Sequence, residues 1–265
     1  MTFDSSYAPS EDLGLRLSKS SFGTYDKCPR SYWWLYIEGM NPPANDAMIR
    51  GSLIHQVLED SLLSTHTVRE VGVLSNVTDP AVEALDELME EIYKKYPDWE
   101  LIEAEYKHEV PTEIGGRKVM LVGKIDGVFR DADGRLIICE LKTGELGSSK
   151  VSRTRKELNF YRYMLDIAGH DVEDCYYMVI APDATNTDVA LKLESSKRKT
   201  VLWGTMTGIA YVEKMNKRSY NTTVDKVALA VEGIFGEQWP KNWSEYYCPE
   251  WCAFHLACES EVNEE

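Results

Sequence analysis

The stretch from Gly123 to Gly144 restricts what this chain can fold into more than any other part of it. Two strand-like runs, Lys118–Arg130 and Arg135–Leu141, flank Asp133-Gly134, a dipeptide suited to closing a hairpin. The first run carries Gly123-Lys124-Ile125-Asp126-Gly127; the second runs into Cys139-Glu140-Leu141-Lys142-Thr143-Gly144. Residues two apart on a strand share a face, so Glu140 and Lys142 point one way while Cys139 and Leu141 point the other. An isolated E-x-K triplet is also what an ion pair on an edge strand looks like, with Asp126 a mere turn residue. The apolar run Leu136-Ile137-Ile138-Cys139 favours an interior strand with Glu140 at its end, where an unpartnered charge would be expensive.

Pairing across the hairpin brings Asp126 toward Glu140. Two carboxylates side by side repel each other unless a cation lies between them, and hard oxygen donors with open positions suit Mg²⁺ or Mn²⁺. The neighbouring Lys142 ammonium can orient a water or stabilise charge developing on a phosphate.

The flanking patterns complete a layered architecture. Ser18 or Ser20 is placed to cap a helix running through Tyr25 and Tyr36, divided near Pro29. Arg50–Leu63 and Pro80–Tyr96 show helical apolar spacing, and Ala104–Thr112 reads as a strand ahead of the hairpin. Arg153–Ala168 returns to helix, Cys175–Ala181 and Asp188–Leu193 read as strands, and Ser196–Lys217 and Val224–Phe235 as helices. This order predicts an α/β fold with a central mixed sheet flanked by helices. Residues 1–17 read as a loosely ordered lead-in. Residues 18–265 read as one domain, with a helical N-terminal part and a cysteine-rich tail.

A formal charge of −15 argues against a surface coated in basic residues for nucleic acid. The charge is uneven: residues 141–220 hold 13 Lys/Arg against 10 Asp/Glu. A cleft needs only such a local track, helped by a bound divalent cation. No apolar stretch approaches bilayer length, and Met1–Asp12 lacks the features of a secretory signal, so no membrane association and a cytoplasmic setting are expected.

Six cysteines in such a chain favour metal or cluster ligation over disulfides. Cys248, Cys252 and Cys258 crowd the tail, and Cys28 is the best-placed fourth ligand; Cys139 and Cys175 lie in apolar runs and fit as small core residues. One distant thiolate and three clustered ones satisfy a 4Fe–4S cluster, while structural zinc also accepts four thiolates. The paired C-x₂-C knuckles typical of zinc sites are absent from the sequence.

The helix with Gly51-Ser52-Leu53-Ile54-His55, then Gly123-Lys124-Ile125-Asp126, then Glu140-Leu141-Lys142-Thr143-Gly144, resembles the RecB-type branch of the PD-(D/E)XK nucleases. That branch includes iron–sulfur members and the CRISPR-associated exonuclease group, and the likeness runs from about Ser18 to Cys258. The resemblance implies a restriction-endonuclease-like fold, with Asp126 and Glu140 as metal ligands and the Leu141 carbonyl as a further one. It gives His55 a place in the metal shell and Lys142 a role beside the attacking water. It also implies that the one-plus-three cysteine layout carries a 4Fe–4S cluster, although the first tail spacing in the family is usually x₂ and here is x₃.

Where the branch carries Q-x-x-x-Y, this chain has Glu157-Leu158-Asn159-Phe160-Tyr161. Glu157 cannot donate the amide hydrogen bonds of glutamine, whereas Tyr161 keeps the position that meets DNA or the catalytic lysine, or simply packs. Arg153, Arg155 and Lys156 either meet phosphates or form a solvated helix face, and Glu105 is a candidate supporting or second-metal residue. The implied activity is a DNA exonuclease acting on single strands or ends, in recombination, repair or phage/CRISPR DNA processing. A helicase or a recombination or CRISPR complex is the implied partner. The alternative is a catalytically silent DNA-binding subunit, against which the intact Asp126, Glu140 and Lys142 count.

Overall fold

The strands form where the alternating and apolar runs lie. In this computed structural model, which describes residues 7–10, 14–104, 107–184, 187–194, 199–203 and 208–260, they are β1 (Leu15–Ser18), β2 (Glu100–Ala104), β3 (Lys107–Ile114), β4 (Arg117–Lys124), β5 (Gly127–Arg130), β6 (Leu136–Leu141), β7 (Tyr176–Ala181), β8 (Lys199–Trp203) and β9 (Ile209–Lys214). The helices are α1 (Lys19–Lys27), α2 (Pro29–Tyr32), α3 (Asp46–Leu63), α4 (Val68–Leu74), α5 (Pro80–Lys95), α6 (Ser148–Ile167), α7 (Thr187–Glu194), α8 (Lys217–Phe235), α9 (Tyr247–Trp251) and α10 (His255–Ser260). None of the described helices is long and apolar enough to cross a membrane.

The chain divides into two compact units. The larger comprises Ala44–His108 and Gly123–Thr223, and is built on a six-stranded mixed sheet in the order β2-β5-β6-β7-β9-β8. Only the β6–β7 pair in it is parallel. One face of the sheet, with Phe129, Ile137, Cys139, Leu141, Met178 and Ile180, packs with Ile54, Val57, Leu85, Leu88 and Ile92 from α3 and α5 in a single apolar core. Local chemistry sets where those helices begin. The Asn45 side chain accepts from the Met48 N–H, Thr67 and Glu70 form a reciprocal cap on α4, and Asp79 caps α5 ahead of Pro80.

The smaller unit comprises Met1–Pro43, Glu109–Val122 and Val224–Glu265. In it β1 runs parallel to β4 in the order β1-β4-β3, and the two chain ends pack through aromatic rings. Tyr32, fully buried, stacks on Trp239 with centroids 5.9 Å apart. Ser18 caps α1 as expected, and Pro29 opens a new helix at its first position, so Cys28 stands between two helices in extended backbone.

Several local expectations are corrected. Asp188–Leu193, expected as a strand, lies in α7: Val189, Ala190 and Leu193 are buried while Leu191 is 59% exposed, which is helical spacing. Ser196–Lys217, expected as a helix, instead contains β8 and β9. Ile209–Val212 is buried throughout, because β9 is hydrogen-bonded on both edges, and a continuous short apolar run has no period of its own. Lys118–Arg130 is two strands, broken at Ile125-Asp126, and Leu15–Ser18 in the expected lead-in is a strand with Leu15 and Leu17 fully buried. Glu105 lies outside the described residues.

Candidate active site

The break between β4 and β5 is what presents Asp126. β5 pairs with β6 in the register Gly127↔Cys139, so Asp126 falls beside Glu140, at the C-terminal end of an interior strand. Asp126 Oδ2 accepts from the Leu141 N–H at 2.6 Å, and Oδ1 lies 3.2 Å from His55 Nδ1. Strand alternation sends Cys139 and Leu141 into the α3–α5 core and Glu140 toward α6. Glu140 is only 2% exposed, and its Oε1 accepts from Lys142 Nζ at 2.7 Å. Lys142 gives a second bond, 2.6 Å long, to Glu157 Oε2. The structure therefore brings Asp126, Glu140, Lys142 and His55 together, and adds Glu157 directly on the lysine.

Two glycines stand at the close approaches of this convergence. A Cβ on Gly51 would stand 3.0 Å from Thr143 Oγ1, so a side chain there would require the Thr143 hydroxyl to give way by a few tenths of an ångström. A Cβ on Gly123 would stand 2.6 Å from Met164 Cε and 2.8 Å from Tyr161 Cε1, both on α6. Tyr161, 2% exposed, donates its hydroxyl to the Lys124 carbonyl, so it anchors the segment leading to Asp126. Burial, then the charges of Glu140, Asp126 and Glu157, hold its phenol well above the ordinary value, which keeps it a neutral donor. The basic residues of α6 divide. Arg155 is paired with Glu213 at 3.0 Å; Arg153, 65% exposed, lies 3.8 Å from Glu157; Lys156 is exposed.

A network with no sequence signature fastens the site. Arg50, one residue before Gly51, forms paired bonds to Asp79 (2.6 and 2.7 Å) and to Asp183 (2.7 and 2.8 Å). Asp183 Oδ2 also accepts from the Gly144 N–H at 2.7 Å. Burial alone would raise the Asp183 carboxyl, but Arg50 and the Gly144 N–H hold it below its ordinary value, and Arg50 does the same for Asp79. Lys150 closes the same turn by donating to the Thr143 and Gly144 carbonyls at 2.6 and 3.2 Å. Arg50→Ala leaves two carboxylates without their cation and is expected to destabilise the protein by about 2–3 kcal/mol, less than for a fully buried pair. Arg50→Lys should recover little, since lysine cannot make paired bonds to both; thermal denaturation checks both variants.

The donors suit a hard divalent cation. Asp126 and Glu140 are 7% and 2% exposed, and Lys142 is shared between Glu140 and Glu157. Among the described residues no three His, Cys, Asp or Glu side chains already form a metal cage. Lys142 holds Oε1 of Glu140 and the Leu141 N–H holds Oδ2 of Asp126, so a cation taken by Glu140 would meet the Lys142 ammonium on the same carboxylate.

In the smaller unit a small recess is lined by Cys28, Cys248, Cys252 and Cys258. Each sulfur has a polar group nearby: the Asn242 N–H at 3.5 Å from Cys28, the Ser244 N–H at 3.3 Å from Cys248, the Ser31 hydroxyl at 3.9 Å from Cys252, and Trp34 Nε1–H at 3.3 Å from Cys258. Burial would raise the Cys28 thiol, but hydrogen bonds from Asn242, Ser31 and Arg30 lower it. In the sheet, burial raises Cys139 well above its ordinary value and Cys175 to about 11. His255 pairs with Glu259 at 3.1 Å.

A mixed sheet that delivers an aspartate and an E-x-K triplet from adjacent strands defines a nuclease class. A model of the PD-(D/E)XK nuclease superfamily matches residues 16–259, and the chain belongs to that superfamily. No curated protein matches this chain. One similar solved structure is described as the crystal structure of SSO0001: it is 14% identical, with 92% of this chain and 86% of that chain covered and a TM-score of 0.45.

Proposed function

We propose that this chain is a divalent-metal-dependent deoxyribonuclease whose reacting centre is Asp126, Glu140, Lys142 and His55. The observation that carries this reading is their meeting at the end of β6, with two nearly buried carboxylates, Glu140 paired with Lys142 and Asp126 beside His55. Asp126, Glu140, the Leu141 carbonyl and His55 would hold Mg²⁺ or Mn²⁺. Such an ion, when bound, lowers the pKa of a coordinated water and neutralises phosphate charge. Lys142 supplies a positive charge beside the attacked phosphate, and Arg153 and Lys156 offer exposed cations for the strand on either side.

On the likeness of its motifs to the RecB-type branch, the reading extends to an exonuclease acting on single strands or ends, with any unwinding supplied by a helicase or by a recombination or CRISPR partner. Purified protein, end-labelled single- and double-stranded DNA and Mn²⁺, with product lengths resolved over time, test it. Shortening from one end supports the exonuclease; DNA binding without any cleavage would leave a silent subunit instead. His55→Ala is expected to lower cleavage about tenfold or more at low Mn²⁺ and to recover at high Mn²⁺. A loss of equal size at every metal concentration would place His55 in a structural role.

The cysteine recess, we infer, holds a 4Fe–4S cluster. The four lining cysteines, the donors facing their sulfurs and the lowered thiol of Cys28 all suit bound thiolates. With both chain ends in one unit, the cluster would crosslink them.

A further inference from the structure

The residue that departs from the family pattern is also the one that touches the catalytic lysine. Glu157 Oε2 accepts from Lys142 Nζ at 2.6 Å, while Oε1 lies 3.8 Å from Arg153 Nε, beyond hydrogen-bond range. Lys142 Nζ is thereby shared between Glu140 and Glu157, at 2.7 and 2.6 Å, in a site where its side chain is 18% exposed. This arrangement raises a conflict. Lys142 occupies Oε1 of the carboxylate a metal ion needs, and an ammonium repels a divalent cation at close range, so a metal ion on Glu140 favours withdrawal of Lys142.

Resting on the reading of this site as a metal-dependent nuclease, we propose that Glu157 is a positioning residue, a second anionic berth that receives Lys142 when Glu140 turns to a metal ion. The ammonium need not travel into solvent, because its other partner is already in place. It stays within the site, on the side of α6. A neutral glutamine at this position would accept a hydrogen bond from Lys142, but a charge-assisted bond is roughly twice as strong as a neutral one. Lys142 would then hold Glu140 more tightly and oppose the metal more. Lys150, the other ammonium nearby, is engaged by the Thr143 and Gly144 carbonyls, which leaves Glu157 to serve Lys142.

Calorimetric titration of the full chain with Mn²⁺, in the absence of DNA, tests this. Glu157→Gln should weaken binding about tenfold, an apparent loss of about 1.4 kcal/mol. Removing a negative charge near a cation would weaken binding too, so the decisive comparison is with Lys142→Met. In that background Glu157→Gln should change affinity less than twofold, because there is no ammonium left to receive. An equal loss in both backgrounds would overturn the proposal in favour of plain electrostatics. Loss of one whole bound Mn²⁺ per chain would overturn it in favour of direct ligation by Glu157.

If Lys142→Met does not fold, Glu157→Asp decides alone. It keeps the charge but withdraws it by one methylene, so the berth predicts much of the tenfold loss and plain electrostatics predicts almost none. The underlying site has its own control. Glu140→Ala should abolish this binding, and its failure to do so would remove the metal site itself, whatever Glu157 does.

Discussion

Alanine at Asp126, Glu140 or Lys142 is expected to reduce DNA cleavage by on the order of 10²–10³-fold or more, the scale seen when one preorganised charge or donor is removed from a reacting centre. The three losses differ in what they leave behind. Asp126→Ala frees the Leu141 N–H and separates His55 from its carboxylate partner. Glu140→Ala removes the carboxylate at the end of the interior strand, leaving Lys142 on Glu157. Lys142→Ala strips the cation from Glu140, which is 2% exposed, and so should also lower the thermal midpoint. End-labelled DNA with Mn²⁺ reports the rates, and circular dichroism confirms that each variant is folded. Near-normal rates in folded forms of all three would end the assignment of chemistry to this site.

Protein prepared without oxygen is expected to be brown, with broad thiolate-to-iron absorption and about four irons per chain. Cys28→Ser should lose the iron and destabilise the smaller unit as severely as Cys252→Ser, although 28 and 252 lie at opposite ends of the sequence. The two line one recess, so either loss opens the same crosslink. Cys139 and Cys175 should be replaceable by alanine with the iron retained, since both are buried apolar members of the sheet region with thiols held protonated by burial. A colourless anaerobic preparation with one zinc and no iron would refute the cluster and leave the nuclease assignment standing.

What the order of residues decides here is what depends on near neighbours. Alternation over two residues separates Glu140 from Cys139 and Leu141, and hairpin closure at Asp133-Gly134 carries Asp126 to Glu140, because pairing register follows from turn position. The caps at Ser18 and Asp79 and the break at Pro29 act within one helical turn. Where a short run is apolar throughout, as in Ile209–Val212, periodicity is silent, and the strand exists because β7 and β8 satisfy its backbone. Arg50 finds Asp183 across 133 residues, and Glu157 becomes the partner of Lys142 only once α6 lies against the sheet. Neither pairing has a period or a spacing to announce it. Both arise because burying charge demands a countercharge, and only the folded chain determines which one is within reach.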